Sequence, residues 1–158
     1  MLSVRLVPSR DVDALVPLLR DAEEGDERIV RAINDSANTA YLAFDDDTPV
    51  GAAVMRWAQD ESEIIYIATA ETLRGKGYGK AMIRWILDEA RRRGVAAVCV
   101  GTANAGLDNI AFYQKCGFRM DSVRKDYFNY FSSPVYENGI QIRDMLVLRY
   151  ELSDEGES

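Results

Sequence analysis

Residues 74–80, Arg-Gly-Lys-Gly-Tyr-Gly-Lys, set three glycines at alternate positions among the basic side chains Arg74, Lys76 and Lys80. Glycine accepts positive φ, so such a stretch can turn its N–H groups toward one point. Glu63 to Ala70, just before it, is rich in isoleucine and alanine and suits a buried strand. Ala81 to Ala90, just after it, carries Met82, Ile83, Ile86, Leu87 and Ala90 at helical spacing. The loop therefore opens a helix, whose positive dipole end stabilises a phosphate or pyrophosphate without a deep pocket. A cationic spot here runs against a net charge of −7 for the whole chain. A glycine-rich turn with solvated charges is the plainer reading of the same residues.

Two common phosphate loops fail on spacing. A Walker loop needs glycine and then Ser or Thr where Arg74 and Ala81 stand. The dinucleotide fingerprint needs glycine at Lys80, and no strand-turn-helix unit opens the chain. The stretch instead resembles the acetyl-CoA signature of the GNAT acyltransferases, (Gln/Arg)-x-x-Gly-x-(Gly/Ala), with Arg74, Gly77 and Gly79 in the named places. A second segment, Asn-Ile-Ala-Phe-Tyr-Gln-Lys-Cys-Gly-Phe at 109–118, resembles the family's companion segment, where a helix ends in a Tyr and a Gly-Phe begins the next strand. Tyr113, Gly117 and Phe118 fill those positions, and the resemblance extends over residues 1–152.

The resemblance implies an α+β fold: a central mixed, mostly antiparallel twisted sheet of six to seven strands, flanked by about four helices. It implies an N-acetyltransferase that moves the acetyl group of acetyl-CoA to a primary amine by direct transfer in a ternary complex. Acetyl-CoA is then a co-substrate, with its pyrophosphate on the backbone from Arg74 through Gly75, Lys76, Gly77, Tyr78 and Gly79 to Lys80. Its pantetheine arm lies along the strand end at Ile67, Ala68 and Thr69. Tyr113 is the general acid, because a phenol with a pKa of about 10 stays protonated at neutral pH; an aromatic packed on a helix face is the alternative. Glu63 is the candidate base, acting through water, or else an exposed carboxylate at a strand start. Asn104 and Asn109 compete for the pantetheine amides. The family's asparagine falls seven residues before the Tyr, where this chain has Gly106, so either could serve. Cys116 is not an acyl carrier in this scheme.

The acceptor is less legible. Glu23 and Glu24 precede a helix that walls the acceptor site in this family, so they could attract an ammonium group, or simply favour a helix N-terminus. Tyr127, Phe128, Tyr130, Phe131 and Tyr136 crowd one loop, as an acceptor wall that includes Tyr130, a dimer contact or a satellite core. The acid-rich composition tilts the acceptor toward a small cationic amine. A protein N-terminus or lysine, and a non-catalytic acyl-CoA sensor, are the rival readings.

These residues must be held by a single domain, since 158 residues with 47% hydrophobic and 28% charged suit one ordinary globular core. A short strand at Val4 to Pro8 leads to a helix with Val12, Leu15, Val16 and Leu19 on one face, which Pro17 should kink or delay. A second helix is expected within 21–37. A hairpin follows, 40–44 with 50–57, and then the strand at 63–70. After the long helix, Arg91 to Arg93 complement its negative end and Gly94 caps it. Val95 to Val100 is a buried strand, placed parallel to 63–70 by a right-handed crossover. Leu107 to Lys115 is a short helix, Phe118 opens another strand, and a final strand alternates from Ile140 to Leu148. Residues 153–158 form an acidic tail.

No apolar run approaches the ~18 residues of a membrane span, and the first residues lack a signal peptide's apolar core, so a cytoplasmic protein without membrane contact is expected. Two cysteines and no histidine make a metal site hard to assemble. A pI near 4.7 argues against nucleic acid. A homodimer is possible.

Overall fold

The structure, a computed structural model, describes residues 2–20, 22 and 25–153. Strand β1 (Val4–Pro8) is followed by helices α1 (Val12–Leu19) and α2 (Asp26–Asn34). Strands β2 (Thr39–Asp45), β3 (Thr48–Arg56) and β4 (Ser62–Thr69) then run as an antiparallel meander. Helix α3 (Tyr78–Arg92) crosses to β5 (Ala97–Ala103), which pairs parallel to β4. Helix α4 (Leu107–Lys115), strand β6 (Arg119–Arg124), a small hairpin of β7 (Tyr136–Glu137) and β8 (Ile140–Gln141), and β9 (Met145–Glu151) complete the chain.

The main sheet has seven strands in the order β1-β2-β3-β4-β5-β9-β6, and only the β4–β5 pair is parallel. This is the mixed, mostly antiparallel sheet expected from the sequence, with four helices over its two faces. Strand β3 is buried along Val50–Met55 because both of its faces are covered. Ala53 and Met55 pack into the cluster under α3, whereas Ala52 and Val54 pack into the cluster under α1 and α2. That alternation is the pleat of a strand read from its two sides.

Helix α3 buries Met82, Ile83, Ile86, Leu87 and Ala90, the stripe its sequence spacing predicts. Each larger side chain of that stripe contributes about 1.5–3 kcal/mol by leaving water, which fixes the helix on the sheet. The arginines at its end pair with nearby acids, Arg91 with Asp88 at 2.7 Å and Arg93 with Glu89 at 2.9 Å, and Gly94 follows in a left-handed conformation. Pro17 neither delays nor breaks α1: Asp11 caps the helix by accepting from the Ala14 N–H, and burial of Leu15, Val16 and Leu19 holds it together. Helix α2 is shorter than the 21–37 span, with Gly25 at φ 92° before it. The expected final strand divides, since Ile140 belongs to the separate hairpin and β9 starts only at Met145. The Ser153 N–H bonds the Ala96 carbonyl at 2.9 Å, and the rest of the expected tail lies outside the described residues.

Candidate active site

Two irregularities in β4 coincide. Its register with β3 runs Val54↔Tyr66 and then Met55↔Ile64, so Ile65 is an extra residue, a β-bulge. Its pairing with β5 stops at Ile64↔Val100, although β4 continues to Thr69 and β5 to Ala103. The two strands splay from this point. The bulge also shifts the side-chain alternation: Ile64 and Ile67 pack toward α3, while Ile65, Tyr66 and Ala68 pack toward α1 and α2. The edge of β4 over residues 65–69 is therefore open on the side where β5 would continue the ladder. An open edge of this kind offers its N–H and C=O groups to an extended ligand.

A cleft of about 1190 Å³ fills the splay and passes through the sheet edge from one face to the other. On the α3 side it is lined by Ile67, Thr69, Arg74, Gly75, Gly77, Tyr78, Gly79, Lys80, Asn109, Phe112 and Tyr113. Gly75 and Gly77 have φ of 78° and 90°, and Gly77 is the N-cap of α3 with no side-chain cap bond. The first intrahelical bond here is from the Ala81 N–H to the Gly77 carbonyl at 3.0 Å, so the N–H groups of 78–80 lie before the ladder begins. Gly79 departs from the expectation that all three glycines take positive φ. It sits in the helix, and a Cβ there would lie 3.3 Å from the Phe112 ring and 3.6 Å from the Thr69 hydroxyl. Close packing, not backbone conformation, excludes a side chain from 79.

Tyr78 has two roles. Its hydroxyl donates to Asp45 at 2.8 Å and fastens the start of α3 to the end of β2. The Asp45 bond holds its pKa above the usual phenol value, and it takes the one O–H donor of the side chain. Lys76 sits exposed on the turn between Gly75 and Gly77 and is not among the residues that line the cleft.

Tyr113 is 7% exposed, wedged edge-on between Phe112 and Phe118 with ring centroids 5.3 Å and 5.7 Å away. Burial pushes its pKa upward, with a smaller contribution from Cys116. The side chain therefore stays a neutral phenol well into the alkaline range. Asn109 lies one turn before it and also faces the cleft. Asn104 does not. Its Oδ1 accepts from the N–H groups of Arg143 and Asp144 at 2.9 Å and 3.0 Å, and its Nδ2 donates to the Gln141 carbonyl at 3.0 Å. It clips the end of β5 to the segment before β9, which occupies its carbonyl oxygen twice and one of its two N–H donors.

The opposite side of the cleft is lined by Arg20, Arg56, Glu63, Tyr66, Arg124 and the ring cluster Tyr127, Phe128, Tyr130 and Phe131. Phe128 and Phe131 stack at 5.8 Å, and Tyr130 meets Phe131 edge-on at 4.8 Å. The Arg28 guanidinium lies 3.9 Å from the Tyr130 ring centre, which ties the aromatic loop to α2. Glu63 stands opposite Arg56 on β3 and Cys99 on β5. Arg56 turns away from it to Asp35 at 3.1 Å and Asn38 at 2.9 Å. Glu23 and Glu24 lie outside the described residues. Arg56 and Arg124 carried no sequence signal, because a single arginine on a strand looks like any solvated position.

The arrangement resembles known proteins throughout. Residues 12–118 match the Acetyltransferase (GNAT) family. The uncharacterized N-acetyltransferase YvbK of Bacillus subtilis is 34% identical over 114 residues, 71% of this chain and 74% of that one. A Bacillus subtilis acetyltransferase solved in complex with CoA superposes with a TM-score of 0.84 at 30% identity, covering 96% of this chain and 99% of that chain. A GNAT family acetyltransferase from Elizabethkingia anophelis, solved with acetyl-CoA bound, gives a TM-score of 0.82 at 28% identity over 94% of this chain and 98% of that chain. With the glycine loop, the splayed strands and the buried tyrosine in one cleft, and a family match across more than half its length, this chain belongs to the GNAT acetyltransferase family.

Proposed function

We propose that this chain uses acetyl-CoA to acetylate a primary amine by direct transfer, with donor and acceptor entering the one cleft from opposite faces of the sheet. The observation that carries the reading is the coincidence of the bulge at Ile65 with the end of β4–β5 pairing at Ile64↔Val100. It opens a strand edge between an anion cradle on one side and a lined pocket on the other.

The residues fit the donor. Gly75 and Gly77 hold the left-handed turn that aims N–H groups outward, the first turn of α3 adds its dipole, and Arg74 and Lys80 supply positive charge at the rim. The open edge at Ile67, Ala68 and Thr69 can hydrogen-bond an extended amide chain as a neighbouring strand would, and Asn109 is placed to add a side-chain contact. A backbone N–H on that edge donates to the thioester oxygen as it gains charge.

Tyr113 donates to the sulfur as the carbon–sulfur bond breaks and the new carbon–nitrogen bond forms. Because burial makes it a weak acid, its first contribution is the hydrogen bond. Any proton it passes to the thiolate is replaced by the one the amine nitrogen gives up. Glu63, half-buried in the cleft wall, takes the proton of the incoming ammonium through water. The acceptor is a small amine. The cationic character suggested by Glu23 and Glu24 finds no support in the described wall, which is lined by arginines.

Release of free CoA thiol from acetyl-CoA, followed across an amine panel with Tyr113→Phe beside the parent chain, tests the reading. Amine-dependent release that falls at least about tenfold in the variant supports it, matching the usual 10²–10⁴-fold worth of general acid–base catalysis less residual positioning. Binding of acetyl-CoA with no amine-dependent release overturns it in favour of an acyl-CoA-binding domain.

A further inference from the structure

Two charged groups on the acceptor side are uncommitted. Glu63 and Arg124 both line the cleft, and neither has a hydrogen-bond or ion-pair partner among the described residues. They share a face of the sheet: Glu63 pairs with Cys99 of β5, Cys99 with Arg149 of β9, and Arg124 with Met145, which stands on the same side of β9 as Arg149. Arg124 reaches this place from the end of β6, through its pairing with Met145 of β9. The other lining arginines of this wall are already answered, Arg20 by Asp26 at 3.0 Å and Arg56 by Asp35 at 3.1 Å. One face of the Tyr130 ring is taken by the Arg28 guanidinium, so that face cannot receive a substrate ammonium.

A polyamine would bring two or more ammonium groups to a wall where Glu63 is accompanied by the open guanidinium of Arg124; the other lining carboxylates, Asp108 and Glu137, lie toward the start of α4. The second ammonium would meet Arg124 as a like charge. An acceptor with one ammonium and one carboxylate matches the pair, since a guanidinium binds a carboxylate through two parallel N–H donors. The rings of Tyr127, Phe128 and Phe131 leave an apolar surface for the rest of the molecule.

Building on the transferase reading above, we propose that the acceptor is a small amino acid-type molecule with an apolar or aromatic body, its carboxylate held by Arg124 and its amine beside Glu63. Arg124 is then a specificity residue that does not take part in the bond changes.

The test compares four acceptors in the thiol-release assay: phenylalanine, phenylalaninamide, phenethylamine and spermidine, with the parent chain, Arg124→Gln and Arg124→Lys. Phenylalanine should be the best of the four. Arg124→Gln should raise its KM at least about tenfold with kcat within about twofold, as loss of one charge-assisted pair does. Arg124→Lys should recover part of that, and KM for acetyl-CoA should not move. Calorimetric titration of phenylalanine into the CoA-loaded protein should show the same loss of affinity in the Gln variant without turnover. Arg124 is exposed, so the variants keep the fold, and matching melting curves check this. Equal use of phenylalanine and its amide, or a preference for phenethylamine or spermidine, overturns this inference while leaving the transferase intact. Release with none of the four overturns this inference too, and the transferase reading falls with it only if the wider amine panel also gives no release.

Discussion

The two halves of the cleft are built from different materials. The donor half, from the end of β4 through the start of α3 to α4, works mainly through backbone: left-handed glycines, the first turn of a helix and an open strand edge. The acceptor half works through side chains brought from α1, β3, β4, β6 and the loop at 127–131. The donor half must therefore suffer from added side chains, whereas the acceptor half must respond to removed ones. A backbone site also gives the same grip to every molecule carrying the same amides and phosphates, while a side-chain site can be retuned one residue at a time.

The largest break in this comparison is expected from Gly77→Val. A β-branched residue at φ 90° is strained and its Cβ would stand 3.4 Å from the Leu2 side chain, so the loop must shift and affinity for acetyl-CoA should fall at least about tenfold, for a conformational cost of about 1–3 kcal/mol. Isothermal titration checks this, and unchanged affinity would mean that the loop does not hold the donor. On the acceptor side Tyr130→Leu should shift the acceptor KM by about threefold and leave that for acetyl-CoA unchanged, an effect of about 0.6 kcal/mol from one lost ring contact. A parallel rise in both constants would show that the halves are not separable.

The smallest effect is a point the halves share. Each holds an acid kept neutral by burial, Tyr113 in the donor half and Cys99 below the acceptor half. Burial pushes the Cys99 thiol up to about 12, with its hydrogen bond to Glu61 adding to the rise. The folded chain then keeps a proton that the unfolded chain loses near its ordinary value of 9.0, so the folded state binds more protons above that pH. This contribution to stability is complete below about pH 9 and is lost as pH rises toward 12. Denaturant melts across that window should slope downward, and less so in Cys99→Val; equal slopes would remove the thiol from the account.

The glycine loop was legible because a left-handed backbone demands particular residues at short range. Glycine at 75 and 77 answers a left-handed backbone, and Gly117 with Phe118 marks the end of α4 in the same way, at φ 100°. Even there the reasons were mixed, since Gly79 is helical and is a glycine because Phe112 and Thr69 approach it. The asparagines show where local reading ends. Asn104 and Asn109 look alike in sequence, yet one is consumed by the backbone of residues 141–144 and the other faces the cleft.

Hydrophobic spacing and turn chemistry, which act over a few residues, determined the helices, the meander of β2 to β4 and the crossover to β5. They also determined the order in which glycine loop and tyrosine follow one another. Tertiary structure alone decided that β4 leaves β5 at Ile64, because a bulge is a mismatch between two strands and belongs to neither sequence by itself. It alone brought Arg124 from the end of β6 to the same cleft as Glu63, since side chains this far apart in the chain meet only through the packing of the sheet between them.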